Sequence, residues 1–358
     1  MKNLLRLLLK TQHQKNRYEP AQTEKGMTLV ELLVGSIMAF LIITPMLSFV
    51  VDMLNTDRKE QVKSNTEQDI QGAVDFIAQD LSQSIYIYDN AGITAINSFL
   101  PSNTNGTPVL VFWKRQPLKN SLPRNSTVDA KPNTCDLPKN LNPRQCNDTY
   151  VRSLVAYYQI KDKELTWCQP SGSNCPSRIV RYEIRDGIDR LTDPATNQPY
   201  GTAYTTSAQQ TDPGFNIETD PDKSFNLNNP TVNVTNPDGL KDLKSGAQNP
   251  QVLVNYIDPG PDPKQIDKEE CQKALGKPTV TIGIQPTPIP ETTLKIANPD
   301  NTNSFYACVD TRRNLARVTI RGNSLRRLQD SNVKASTENS AFFPTASVQV
   351  QGLGARGN

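Results

Sequence analysis

From Met27 to Val51 the chain holds 25 residues of which only Glu31 is ionisable, and this run limits its possible folds more than any other feature. As a helix rising about 1.5 Å per residue it would be roughly 37 Å long, enough to cross a bilayer core with some tilt. The stretch from Leu32 to Ile43 would partition into lipid on any transfer scale. Pro45 removes one backbone donor and crowds the preceding turn, so it is expected to loosen the helix there. Glu31 stands out, because a carboxylate at membrane depth is costly and calls for a partner or a purpose.

The preceding residues orient the segment. Lys2, Arg6, Lys10, Lys15, Arg17 and Lys25 stand against Glu19 and Glu24, so positive-inside bias keeps residues 1–26 in the cytoplasm and sends the C-terminal bulk across the membrane. By hydropathy alone an ordinary signal anchor fits as well. A secretory signal peptide, however, is cut after its apolar core at small residues, whereas Gly26 lies before that core. A cut after Gly26 would leave the apolar helix at the new N-terminus.

Lys25-Gly26-Met27-Thr28-Leu29-Val30-Glu31, with a basic leader ahead and an apolar run behind, resembles the class III leader of type IV pilins and pseudopilins. The resemblance implies that a prepilin peptidase cuts between Gly26 and Met27 and methylates the new amine of Met27. It also implies that Glu31, fifth in the mature chain, neutralises the terminal amine of a neighbouring subunit during assembly. Opposite charges in a low-dielectric bundle attract strongly, and either alone is expensive. Met27 in place of the more usual Phe, an early Pro45 and a 26-residue leader depart from the pattern, and bear on cleavage rate and helix shape.

Loss of the leader, with its six basic and two acidic residues, leaves 33 basic against 34 acidic residues, a formal charge of −1 where the whole chain has +3. A near-neutral chain has no broad basic field with which to grip nucleic acid, so a nucleic-acid partner is disfavoured. The local cluster Arg312-Arg313, Arg317, Arg321 and Arg326-Arg327 reads as solvated faces and solubility charge, with a DNA or acidic-glycan patch as the competing reading. His13, the only histidine, lies in the leader, so the mature chain would lack Ser-His-Asp and Cys-His catalysis and any histidine-ligated metal. No Gly-rich phosphate loop or dinucleotide fingerprint occurs either, and neither a cofactor nor a metal site is expected. Carboxylate pairs able to cleave glycosides are set in three dimensions and stay open as a minority reading; the chain is read as non-enzymatic.

All six cysteines, Cys135, Cys146, Cys168, Cys175, Cys271 and Cys308, follow the apolar segment. An even count on the translocated side reads as disulfides, and no CxxC pair supports zinc. Fifteen connectivities are possible; the shortest loops join Cys135 to Cys146, Cys168 to Cys175 and Cys271 to Cys308.

Beyond Val51, Ile70, Val74, Ile77, Leu81 and Ile85 recur at helical spacing, while Asp69, Gln71, Asp75, Gln79, Asp80 and Gln83 supply the polar remainder. The helix is therefore expected to continue over residues 52–85, fraying near Asn55-Thr56, with one face on a sheet. Short β-rich runs follow at Val109–Trp113, Leu154–Ile160, Ile179–Ile184, Phe305–Val309, Ala316–Arg321 and Ala346–Val350, and predict a mostly antiparallel set whose aromatic residues are core. Asp162-Lys163 reads as a turn into a strand Leu165–Trp167, giving a hairpin that ends at Cys168. Residues 192–300 carry 15 of the 27 prolines and many Asn and Asp, which favours turns and extended loops over packed elements. Lys264 to Leu275 allows one short helix ending before Gly276; the acidic loop of Asp258, Asp262 and Asp267 could hold calcium, but it lacks the EF-hand order and such clusters are mostly turns.

The order of long helix, strands, Tyr-Tyr hairpin and late strands resembles the larger minor pseudopilins, the J-type of type II secretion and the W-type of type IV pili. Ile70-Gln71-Gly72-Ala73-Val74-Asp75-Phe76-Ile77-Ala78-Gln79-Asp80-Leu81 and Ala156-Tyr157-Tyr158-Gln159-Ile160 carry that likeness. More narrowly, the chain is similar to the minor pseudopilins of hormogonium polysaccharide secretion in filamentous cyanobacteria. The resemblance implies an α+β, type IV pilin-like fold. Its parts would be a cleaved leader (1–26), a membrane and filament-core helix (27–51), an amphipathic continuation (52–85) and an extracytoplasmic β-rich head (86–358) with a loop-rich insertion (192–300). It implies a single-pass inner-membrane precursor with its head in the periplasm, then a place in a periplasmic or extracellular pilus-like fibre supporting polysaccharide secretion and gliding motility. The implied partners are prepilin peptidase, other major and minor pilins, an inner-membrane assembly platform with its cytoplasmic ATPase, the membrane and the exported polysaccharide. An adhesin or DNA-uptake pilin of a type II secretion or type IV pilus system is the alternative.

Overall fold

The computed structural model describes residues 28–97, 100, 106–123, 146–185, 250–258, 269–282, 285–299, 301–330, 333 and 335–356. Within these the chain has an α+β fold, a long N-terminal helix and antiparallel sheets, and it divides into two compact units, residues 1–57 and 58–358. Gly26, Met27 and Cys135 lie outside the described residues, as do Asp262 and Asp267.

Helix α1 runs from Leu29 to Ser82 with Pro45 inside it, and shows no break at Asn55-Thr56. It stops at Ser82, short of the expected end at residue 85, because Ser84–Ile87 forms strand β1. Here Tyr86 and Ile87 pair with Trp113 and Phe112, and the β preference of the Ile-Tyr-Ile-Tyr run wins over the helical spacing of Ile85. In the first unit nearly every large apolar side chain of α1 is exposed. In the second unit Ile70, Ala73, Val74, Ile77 and Leu81 are buried, on the face predicted from their spacing.

Five strands form one antiparallel sheet in chain order: β1, β2 (Gly106–Pro123), β3 (Cys146–Ile160), β4 (Ser177–Arg185) and β5 (Gln251–Ile257). The β2–β3 register shifts between Pro108 and Leu110, where proline cannot donate to the ladder. Helix α2 (Asn90–Ile96) follows β1 and is capped by Asp89, whose carboxylate accepts from the amide of Gly92. After β5 come helix α3 (Glu270–Ala274), the hairpin β6 (Thr279–Ile282) and β7 (Gln285–Pro288), and helix α4 (Glu291–Leu294). A second antiparallel sheet has the order β11-β10-β9-β8, from β8 (Lys295–Asn298), β9 (Asn301–Asp310), β10 (Leu315–Arg321) and β11 (Thr345–Gln351).

One hydrophobic cluster joins the α1 face to both sheets, with Val109, Val111, Val155, Ile179, Phe305, Val309, Val318 and Ile320 among its members. The sheets meet where Ile257 bridges to Gly322, and inside the core Gln159 donates to Ser177 at 3.0 Å and to Ser304 at 2.8 Å. Gly322 lets the helix come close: a Cβ there would stand 2.4 Å from Ile70 Cδ1 and 2.8 Å from Thr66 Cγ2.

Two expectations are corrected. Residues 161–176 contain no strand, so Leu165–Trp167 does not form a hairpin with the Tyr157-Tyr158 strand; β3 pairs with β4, and the intervening residues make a loop closed by Cys168–Cys175. The disulfide and the turn at Glu164, whose carbonyl accepts from the amides of Trp167 and Cys168, satisfy this backbone without a ladder. The span 192–300 is also not wholly loop, since Gln251–Ile257 is a core strand with Val254 and Ile257 buried. Its prolines stand outside this run, and the run itself is β-branched and aromatic enough to pair.

Candidate functional site

The first candidate is the bare part of α1. Apart from Tyr150, Leu165 and Leu353, every exposed large hydrophobic side chain among the described residues lies between Leu29 and Leu54 of this helix. A helix apolar all round belongs in a membrane or inside a bundle, and α1 is long and apolar enough to cross a membrane. Its hydroxyls are turned back on its own backbone: Ser36 donates to the Leu33 carbonyl at 2.8 Å and Thr44 to that of Phe40 at 2.8 Å. Glu31 lies exposed in the first turn, its amide donating to the carbonyl and hydroxyl of Thr28 at 2.9 and 3.3 Å. Its carboxylate thus sits at the positive end of the helix dipole, where an anion is favoured.

The second candidate is a charge cluster buried in the 58–358 unit, between α1 and the five-stranded sheet. Asp80 of α1 accepts from Lys114 of β2 at 3.0 Å, from Arg181 of β4 at 2.6 Å and from the Tyr157 hydroxyl of β3 at 2.6 Å. Glu183 of β4 takes the other sides of the two cations, at 3.0 Å from Lys114 and 2.7 Å from Arg181. Two carboxylates thus balance two cations. Burial by itself would raise the Asp80 carboxyl, but the hydrogen bond and charge of Arg181, the charge of Lys114 and the Tyr157 hydrogen bond together hold it below the ordinary carboxylate range. Burial, then the charge and hydrogen bond of Asp80, push the Tyr157 phenol well up, so it stays a donor. With two carboxylates balancing two cations, the cluster ties the helix to the sheet. The sequence reading put Asp80 with the polar remainder; its steps of three from Ile77 and seven from Ala73 were the signal that it shares their face.

The C-terminal arginines are not all solvated, which corrects the reading of that cluster. Arg326 is fully buried, donating to the carbonyls of Asn174, Pro170 (2.6 Å) and Gln329 (3.4 Å). Asp330, 3.5 Å from Arg326, accepts from the amides of Ser173 and Asn174 at 2.9 and 3.1 Å, so this pair docks the Cys168–Cys175 loop. Arg321 is buried against Asp258 at 2.7 Å, and Arg327 pairs with Asp69. A planar five-donor guanidinium can cross-link several carbonyls at once, which favours arginine at such buried joints. Asp258 is therefore committed to an ion pair, and among the described residues no acidic or histidine cluster could hold a metal.

The Cys168–Cys175 and Cys271–Cys308 disulfides are present, as the shortest-loop pairing predicts; the Cys135 and Cys146 side chains lie outside the described residues. Cys271–Cys308 ties α3 to β9 beside an open pocket of about 380 Å³. One wall is Gly276–Thr279 after α3, the other Asp310–Arg313 after β9. Gly276 and Lys277 both take left-handed backbone, at φ 74° and 53°. Arg313 braces the walls, pairing with Asp310 and donating to the Leu275 carbonyl at 2.6 Å.

No protein-family model, curated protein or solved structure matches the chain.

Proposed function

We propose that the chain is a non-enzymatic minor pilin or pseudopilin of type IV pilin-like fold. The observation that carries this reading is one helix, α1, that joins a bare, membrane-length apolar stretch with a lone carboxylate in its first turn to a face packed on an antiparallel sheet. The leader string Lys25 to Glu31 supports it.

In this reading the precursor is anchored in the inner membrane with its β-rich part in the periplasm. Prepilin peptidase removes residues 1–26 and methylates Met27. An assembly platform, driven by a cytoplasmic ATPase, then extracts the subunit into a fibre held together by N-terminal helices, in which Glu31 meets the terminal amine of a neighbour. A chain with so large a soluble part suits a tip or initiating complex better than a repeating shaft. Following the narrower resemblance, the fibre serves polysaccharide secretion and gliding motility.

The test is the mature N-terminus, read by mass spectrometry on membrane fractions with and without prepilin peptidase. N-methylated Met27 that vanishes without the peptidase is expected. An intact Met1, or cleavage beyond Val51, would overturn the reading in favour of an anchored or secreted binding protein.

A further inference from the structure

The pocket between Gly276–Thr279 and Asp310–Arg313 is lined by three cations and one carboxylate. That carboxylate is spent: Asp310 pairs with Arg313 and also accepts from the amides of Arg312 and Arg313 at 3.1 and 3.4 Å. Arg313 is spent with it, its remaining side-chain bond going to the Leu275 carbonyl. Lys277 and Arg312 are left. Both are exposed, and among the described residues no carboxylate pairs with either; Arg312 makes one side-chain hydrogen bond, at 3.3 Å to the Thr279 carbonyl. A guanidinium carries five donors, so this single bond uses one of them. Among the described residues, then, the pocket presents two cations that no carboxylate pairs with.

Its shape is held independently of any ligand. The Cys271–Cys308 disulfide joins the elements that carry the walls, the Arg313 bridge spans them, and Lys277 sits on left-handed backbone that a non-glycine residue adopts only when its surroundings impose it. The Lys277 amide is held by the Gln272 carbonyl at 2.6 Å, which fixes that turn. Preformed walls cut the ordering cost of binding, and a pocket of about 380 Å³ has the size of a small-ligand site.

We propose that this pocket binds the anionic group of an acidic sugar residue, with Arg312 as a forked donor and Lys277 as a point charge. A concave site lined by two such cations suits a single carboxylate or sulfate. A nucleic acid would instead require a basic stripe following successive phosphates, or aromatic platforms for bases, and the lining includes no aromatic residue. That the sugar belongs to an exported polysaccharide rests on the secretion reading above; the anion site does not.

The test titrates full-length protein in detergent with oligogalacturonate, dextran sulfate, neutral dextran and duplex DNA, using wild type, Lys277→Gln, Arg312→Gln and the double variant. Oligogalacturonate should bind, weaken with salt, and lose about tenfold or more in affinity in the double variant. Dextran sulfate binding in its place, with the same dependence on Lys277 and Arg312, would uphold the site and identify sulfate as its group. An unchanged melting temperature and intact disulfide map would show that the variants fold. Arg312→Lys should retain part of the affinity. No binding, binding indifferent to both substitutions, or equal binding of neutral dextran would overturn the proposal. So would tighter binding of duplex DNA through the same two residues. Variant-sensitive glycan binding by a protein whose N-terminus proves to be Met1 would uphold the pocket and overturn the pseudopilin reading alone.

Discussion

Asp80 and Arg181, far apart in sequence on a helix and a strand, meet in the core through a 2.6 Å charge-assisted hydrogen bond. Neither charge is tolerable there alone. With Lys114 and Glu183 they make a neutral group of four, and the Tyr157 hydroxyl satisfies a further lone pair of Asp80. The group converts general apolar packing of α1 into one specific position on the sheet.

Removing one member should cost more than removing a matched pair. Asp80→Ala leaves two buried cations against one carboxylate and should destabilise the protein by about 3–5 kcal/mol. Asp80→Leu with Arg181→Leu keeps Lys114 and Glu183 balanced and should cost less than the sum of the single changes. Denaturant unfolding of the four proteins of this cycle checks the prediction, and additive effects would contradict it.

Acid should act through the same group. The folded pKa of Asp80 lies below its unfolded value of about 3.9, so its stabilising contribution is fully present above about pH 5 and is lost as pH falls through the folded pKa. Asp162, lowered mainly by its hydrogen bonds to Arg178, adds to the same limb. Melting temperature recorded from pH 7 down to pH 2 should fall below pH 4 in the wild type and fall less steeply in Asp80→Asn.

Arg326 should govern the Cys168–Cys175 loop. Arg326→Met removes the donors to the half-buried Pro170 and Asn174 and leaves their carbonyls unmatched, at a cost of up to about 1–3 kcal/mol for each group left unsatisfied. Hydrogen exchange at residues 170–175 should rise while the β3–β4 ladder stays protected. Uniform loss of protection across both would count against a local role.

Overfilling the helix–sheet contact should be harmful too. Gly322→Ala puts a methyl 2.4 Å from Ile70 Cδ1, which forces a shift and should destabilise by about 1–3 kcal/mol. Ile70→Val in the same chain should recover part of that loss, measured by denaturant unfolding.

Glu31→Ala leaves the Gly26–Met27 junction intact. On the pseudopilin reading proposed above, the precursor should be cleaved normally, yet its recovery in sheared fibres should fall severalfold. Wild-type incorporation would remove Glu31 from the assembly step.

The legible part of the fold was the part written in periodicity. Ile70, Val74, Ile77 and Leu81 announced their helix face, and the β-rich runs at Val109, Leu154, Ile179, Phe305, Ala316 and Ala346 all fall within strands. Short sequence separation was enough for two disulfides. Contacts that depend on chain topology were not legible. Strand β5 was hidden by the proline-rich residues around it, and Asp80 read as part of a polar helix face and Arg326 as solvated charge because their partners lie far away in sequence. The pocket was equally hidden, since its walls come from stretches of chain more than thirty residues apart, tied by Cys271–Cys308 and the Arg313 bridge.

That last dependence sets an order of events. Until Cys271 and Cys308 are oxidised, nothing covalent holds α3 to the end of β9, and Lys277 and Arg312 sit on separate pieces of chain. Thiols in a reducing cytoplasm stay open. Both disulfides lie C-terminal to the apolar helix, so the anion pocket of a translocated chain would be completed only after it had left the cell interior. A ligand of that pocket would then meet its fully braced form only outside the cell interior, so compartment would contribute to when binding begins.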